Sequence, residues 1–370
     1  MTKLDDLYEE FGQSPWIDNI RRDWLQDGTL QRLVESGVRG VTSNPAIFAK
    51  ALTSTSAYDD AVASRTSDDP EAVFEVLAVA DVTMACDILQ QVHEESCEDF
   101  SAGDARYCDG FVSLEVSPRL AHDTGATVAE AKRLHAAVNR ANVMIKVPAT
   151  LEGLPAITEL IGAGISVNVT LIFSLERYAQ VLDAWRDGLQ LARKNGVSLE
   201  GIASVASFFV SRVDAAVDGL LPSNSPLVGK TANAQVCAAY ELYAGKINDP
   251  KVRELLNLGA QVQRPLWAST STKNPDFDPL LYVDFIAGLE TVNTMPDATL
   301  ELAKNSGNFS RSFLRDSGTC HENALLLDAL PESVNLAVIT DELERVGVAA
   351  FISSYADILA TVSGKIAEFS

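Results

Sequence analysis

One lysine, Lys146, stands in the middle of a short apolar run of β-type residues, Val143-Met144-Ile145-Lys146-Val147-Pro148. Side chains in a strand alternate between two faces. Met144, Lys146 and Pro148 therefore share one face, and Val143, Ile145 and Val147 share the other. A lysine among such neighbours is partly desolvated, which disfavours the ammonium and makes a free amine available near neutral pH. In a pocket, the chemistry open to a free amine is imine formation with a carbonyl. A lysine at a strand end can equally snorkel its charge into water, so what the other strand ends carry decides between the two readings.

Those ends carry polar groups in series. Asp18 follows the first strand pattern, and Thr42 and Asn44 follow the second. Glu115 ends the third, whose alternation puts Val112, Leu114 and Val116 on one face and Ser113, Glu115 and Ser117 on the other. Asn168 and Thr170 lie on the fifth. Ser207 and Phe209 lie on the sixth, with Arg212 in the turn after it. Ser269 ends the seventh, followed by Ser271 and Lys273. Each has a plain alternative: Asp18 can cap a helix, Asn44 can make an Asx turn before Pro45, and Arg212 can be a surface residue. As a set they fit one reaction. Lys146 would be the nucleophile, Asp18 an acid/base, and Glu115 with Thr170 the holders of a proton-shuttling water. Asn44, Thr42 and Asn168 suit sugar hydroxyls. Arg212, Ser269 and Lys273 suit a terminal phosphate.

Strand and helix patterns alternate about eight times, which implies parallel strands joined by crossover helices. A closed (β/α)8 barrel and an open doubly wound sheet are the two outcomes. No G-x-G-x-x-G follows the first strand and no Walker A loop is present, which favours the barrel, with its active site at the C-terminal strand ends. The eighth strand is expected at Val283-Asp284-Phe285-Ile286-Ala287-Gly288. A capping box is expected at Thr127 and Glu130. The expected organisation is a single (β/α)8 barrel over 1–370, with a helical C-terminal extension over 307–370 packed on it.

Composition narrows the partners. The 370-residue chain carries 29 basic and 51 acidic residues, net −22, which argues against nucleic acid and anionic membranes. Its cysteines, Cys86, Cys97, Cys108, Cys237 and Cys320, are odd in number and scattered, which reads as reduced thiols in a cytoplasmic protein. Neither an apolar signal core nor a membrane span is read. The histidines lack ligand spacing, so neither a metal nor a cofactor is expected.

Five stretches carry a resemblance: Gly40-Val41-Thr42-Ser43-Asn44-Pro45, Ile145-Lys146-Val147-Pro148, Val167-Asn168-Val169-Thr170-Leu171-Ile172-Phe173, Leu266-Trp267-Ala268-Ser269-Thr270 and Val292-Asn293-Thr294-Met295-Pro296. In this order and at barrel spacing, the chain resembles the transaldolases, Schiff-base aldolases of the pentose phosphate pathway, and their longer bacterial subfamily in particular. The resemblance implies a (β/α)8 barrel with the imine lysine, Lys146, on strand four. It implies transfer of a dihydroxyacetone unit from sedoheptulose 7-phosphate to glyceraldehyde 3-phosphate, giving erythrose 4-phosphate and fructose 6-phosphate. Asp18 matches the acid/base carboxylate, Glu115 and Thr170 the water holders, Ser207 and Asn168 substrate contacts, and Arg212 and Ser269 phosphate binders. Shorter members carry an arginine just after the strand-seven serine; this chain reads Thr270-Ser271-Thr272-Lys273, which shifts the second cation to Lys273. Fructose-6-phosphate aldolases share the fold and the lysine, but a glutamine and a tyrosine are typical where this chain has Glu115 and Phe209. A sugar-phosphate-binding barrel without catalysis is the remaining alternative. The partners implied are small sugar phosphates, with the protein a monomer or homodimer.

Overall fold

A computed structural model describes residues 2–103, 105 and 107–369. Seven parallel strands form one sheet: β1 (Gln13–Ile17), β2 (Val112–Glu115), β3 (Val143–Pro148), β4 (Val167–Ile172), β5 (Ser204–Phe209), β6 (Gln263–Ala268) and β7 (Thr291–Met295). Their order is β1-β7-β6-β5-β4-β3-β2. The eighth stave is residues 39–42. Val41 bridges Ile17 on one side and Val112 on the other. The flanking amides complete the pairing: Ile17 donates to Gly40 O, Thr42 to Ile17 O, Val41 to Phe111 O and Ser113 to Val41 O, each at 2.9–3.0 Å. The ring is thereby closed into a (β/α)8 barrel, with helices on its outer surface.

Within this stave Gly40 lies flat against Trp16; a Cβ at position 40 would overlap the indole. Gly40→Ala is expected to cost about 1–3 kcal/mol through overpacking. Urea unfolding checks this, and an unchanged midpoint would contradict the tight contact.

Alternation along β3 sorts its side chains into two layers. Val143, Ile145 and Val147 join the large cluster between barrel and helices. Met144 joins Trp16, Val205, Leu266 and Val292 inside the barrel. The same rule puts Val112, Leu114 and Val116 outward. Toward the N-terminal end, the interior is plugged by the buried carboxylate of Asp109, which accepts from Trp16 Nε1 at 2.9 Å and faces Arg39 at 3.2 Å and Arg264 at 3.5 Å. The C-terminal end is left open.

Several expectations need correction. Residues Val283 to Gly288 are not a strand: a short helix occupies Leu281–Asp284, and the strand that pairs with β1 is β7, which begins after this run. Most of the run 283–288 is buried, and periodicity alone does not separate a buried strand from a buried turn of helix. The helix before β3 is Thr124–Val138, capped by Asp123 rather than Thr127, and Glu130 instead accepts from the Ser117 amide at 2.9 Å. The cysteines are not all free thiols. Cys97, on the helix Gln90–Ala102, is joined to Cys108, on the approach to β2, with Cα atoms 4.7 Å apart. Such a contact is made by the fold and leaves no mark in spacing. Cys86, Cys237 and Cys320 are free and buried.

The helix Leu336–Glu368 is long and apolar enough to cross a bilayer by length and composition alone. Here it lies along the barrel, burying Val348, Phe351, Tyr355, Ile358, Val362 and Ile366. Tyr355 donates to Glu71 at 2.9 Å, and Lys365 to Asp59 at 2.6 Å. Gly347 allows close approach, because a Cβ there would sit 3.0 Å from the side chain of Leu171 on β4.

Candidate active site

A cavity of about 210 Å³ opens at the C-terminal end of the barrel. It brings together Asp18, Thr42, Asn44, Lys146, Thr170, Ser207, Phe209, Arg212, Ser269 and Lys273 from the sequence-predicted set. Glu115 and Asn168 lie just behind this lining.

Strand register explains the centre. Glu115 pairs with Lys146 across β2 and β3, and Lys146 pairs with Asn168 across β3 and β4. Neighbouring residues in register on parallel strands point to the same face, so all three point inward. Lys146 is 5% exposed. Its Nζ donates to Ser43 O at 3.0 Å and to Glu115 Oε2 at 3.3 Å. The ring of Phe351 lies 5.6 Å away, within cation–π range. Burial pushes the Glu115 carboxyl up to about 7, although Lys146 pulls partly against that rise. Asp18 is also raised, first by burial, with Lys146 and the Thr42 hydrogen bond opposing. Thr42 Oγ1 donates to Asp18 at 2.7 Å and lies 2.5 Å from Thr294 Oγ1.

The raised Glu115 value carries a stability consequence. The native state holds this proton more tightly than the unfolded chain, where the value is near 4.5. The stabilisation is therefore fully present below about pH 4.5 and is lost as pH rises through about 7. Glu115→Gln is expected to flatten that part of the pH–stability curve. Denaturant midpoints for both proteins between about pH 5 and 8 check it, and parallel curves would count against a raised carboxyl.

Thr170 is fully buried and its hydroxyl has no hydrogen-bond partner among the described residues. It sits beside an irregularity in β4, where the register with β5 shifts between Val169 and Ile172 and Leu171 takes a φ of 60°. A left-handed leucine costs about 1–2 kcal/mol, and bulges of this kind re-aim side chains beside active sites. Asn168 is fully buried, donating to Ser113 at 2.9 Å and accepting from Ser207 at 2.7 Å. It thus holds Ser207 while leaving the cavity wall to that serine. Asn44 uses its Oδ1 to cap the helix Pro45–Ser54 through the Ile47 amide at 3.1 Å, so it serves the Asx-type role and still lines the cavity.

The cationic side is built differently. Arg212 follows β5 on the first turn of the helix Ser211–Asp218 and lies 5.2 Å from the Phe209 ring. Lys273 donates to Ser271 at 2.9 Å. Among the described residues neither takes part in an ion pair. Burial lowers both, and Arg212 lowers Lys273 further. Ser269, held at φ 57°, lies 3.0 Å from Ser211 at the start of the same helix. Two cations, two hydroxyls and a helix N-terminus converge, an arrangement suited to a dianion.

Among the lining residues without a role assigned from sequence, Thr294, Ser271 and Phe351 bring hydroxyls and a ring to the cavity. Thr294 lies in the Val292 to Pro296 stretch, in register with Trp16, and its hydroxyl meets that of Thr42, which in turn donates to Asp18. Ser271, in the loop after β6, lines the cavity and accepts from Lys273. Phe351 carried no local signal, because it reaches the pocket from the distant C-terminal helix. Among the described residues no His, Cys, Asp and Glu group could hold a metal ion.

A barrel that gathers a buried lysine, two carboxyls and a cationic rim at its C-terminal end has the architecture of a (β/α)8 enzyme. The family model for transaldolase/fructose-6-phosphate aldolase matches residues 15–362. The chain is 45% identical to Transaldolase 1 of Streptomyces coelicolor, covering 96% of this chain and 93% of that protein. It is 44% identical to a transaldolase of Thermobifida fusca, covering 96% of each, and 37% identical to Transaldolase 2 of a Nostoc species, covering 97% and 96%. The chain belongs to the transaldolase/fructose-6-phosphate aldolase family.

Proposed function

We propose that the protein is a transaldolase that carries a dihydroxyacetone unit from sedoheptulose 7-phosphate to glyceraldehyde 3-phosphate as an imine on Lys146. The observation that carries this reading is the contact of Lys146 Nζ with Glu115 beside one cavity that also holds Asp18 and a cationic rim. The Lys146 proton passes to Glu115, whose burial makes it a competent acceptor near neutral pH. The free amine attacks the ketose carbonyl carbon. Loss of water from the carbinolamine, relayed by a water held between Glu115 and Thr170, leaves the iminium. Asp18 then removes the proton of the C4 hydroxyl. The C3–C4 bond breaks, its electron pair passes into the iminium to give an enamine, and the aldose phosphate leaves. The enamine carbon adds to the acceptor aldehyde, Asp18 returns its proton, and hydrolysis releases the new ketose. Ser207 and Asn44 would bind hydroxyls, with Thr42 holding Asp18 and Asn168 holding Ser207. Arg212, Ser269 and Lys273 would hold the terminal phosphate.

Borohydride reduction in the presence of fructose 6-phosphate tests the covalent step. Mass spectrometry should locate a dihydroxyacetone adduct on Lys146, and an adduct elsewhere or none would sink the mechanism. Glu115 and Phe209 support transfer over simple cleavage. The discriminating measurement is dependence on an aldose acceptor: rapid release of free dihydroxyacetone without one would favour an aldolase.

The phosphate assignment predicts that Arg212→Ala raises KM for fructose 6-phosphate by about 10–100-fold, the usual worth of charge-assisted contacts. Arg212→Lys should recover only part, because a lysine cannot offer the planar fork. Dihydroxyacetone, which has no phosphate, should show little change; an equal loss on both substrates would place Arg212 elsewhere.

A further inference from the structure

A second cleft, of about 550 Å³, lies between the start of the helix Thr231–Ile247, the loop after β6 and the 3-10 and helical turns around 309–326. It shares no lining residue with the candidate active site. We propose that this cleft binds an uncharged planar heteroaromatic or aryl amide, a ring with adjacent hydrogen-bond donor and acceptor.

Asn233 lines the cleft and is 4% exposed, yet its Oδ1 has no hydrogen-bond partner among the described residues. Leaving a buried amide oxygen unpaired is costly, and native proteins keep such atoms few. A primary amide presents an acceptor and a donor side by side, so its natural complement is another amide-like edge.

The walls supply the shape. Phe285 and Phe313 stack with centroids 4.9 Å apart and planes 33° apart. Phe277 rests on Gly229, where φ is +70° and a Cβ would overlap the phenyl ring. Leu281 and Leu326 complete the apolar lining. Aromatic walls favour a flat ring over an aliphatic chain.

The rim argues for a neutral ligand. Arg311 pairs with Asp278 at 3.0 Å and covers the Phe285 ring at 4.2 Å. Arg311 also reaches Asp284 at 3.6 Å, and the remaining charges on the lining, Lys230 and Asp276, are one of each sign. The lining offers an ion no cluster of one sign, unlike the rim beside Arg212.

Benzamide is a suitable probe and acetophenone its control, because the ketone keeps ring and acceptor but loses the donor. With the full-length protein, titration calorimetry should give a benzamide Kd near 1 mM, as expected of a small ligand, and acetophenone at least about 5-fold weaker. Phe277→Ala, on a half-buried loop position, and Asn233→Leu should each weaken benzamide by at least about 5-fold. Saturating fructose 6-phosphate should leave the Kd unchanged. Equal affinity for both probes, wild-type binding by both variants, or displacement by fructose 6-phosphate would each overturn the assignment. Because the readout is binding rather than turnover, its failure would leave the imine mechanism untouched.

Discussion

Lys146→Met is expected to reduce turnover by at least about 10⁴-fold, the scale on which removal of a nucleophile is felt when its partners act as a unit. Methionine keeps an unbranched side chain beside Met144 and Phe351, so packing changes little. The electrostatic cost is the abandoned partner. Removing one half of a buried ion pair ordinarily costs about 3–5 kcal/mol, because the other charge stays behind. Glu115 escapes most of that cost: burial already pushes it to about 7, and without Lys146 it simply keeps its proton. The variant should therefore fold, which makes lost activity interpretable. A steady-state assay with fructose 6-phosphate and erythrose 4-phosphate reads the turnover, and borohydride should leave position 146 unlabelled. Residual turnover within 10-fold of wild type would remove Lys146 from the chemistry.

Asp18→Asn separates bond cleavage from imine formation. Asparagine fills the same space and can still accept from Thr42, but it cannot take a hydroxyl proton. Loss of a positioned general base costs about 10²–10⁴-fold. The expected pattern is slow turnover together with undiminished borohydride trapping on Lys146, since Lys146 and Glu115 remain intact. If trapping fell in parallel with turnover, Asp18 would belong to imine formation instead; if turnover were unchanged, it would have no chemical role.

The centre of this site was legible in the sequence because strand alternation is a local rule. Once Lys146, Glu115 and Asn168 are placed on parallel strands, their common face follows from period two. The eightfold βα rhythm likewise implied closure, although the second stave shrank to residues 39–42. What the sequence concealed was set by contacts between distant segments. Phe351 reaches Lys146 across some two hundred positions on a helix whose pattern indicates only that one face is buried. The pairing of Cys97 with Cys108 depends on how a helix end meets an approaching strand. Val283 to Gly288 misled because a mostly buried run with a single polar residue, Asp284, gives too little contrast to reveal its period.

Arg212 and Lys273 stand together, in no ion pair among the described residues, in a chain of net charge −22, so two length scales of electrostatics oppose each other. At long range the protein repels an anionic sugar phosphate; within contact distance the two cations, in the role proposed for them, would attract it. Dissolved ions act first on the longer range, with a screening length of about 8 Å at physiological ionic strength. Modest salt should hence speed capture of phosphorylated substrates by quieting the repulsion, and only stronger salt should loosen the bound phosphate. The enzyme's rate of encounter and its grip on the substrate would then have different ionic-strength optima, set by the bulk surface and by one pair of side chains respectively.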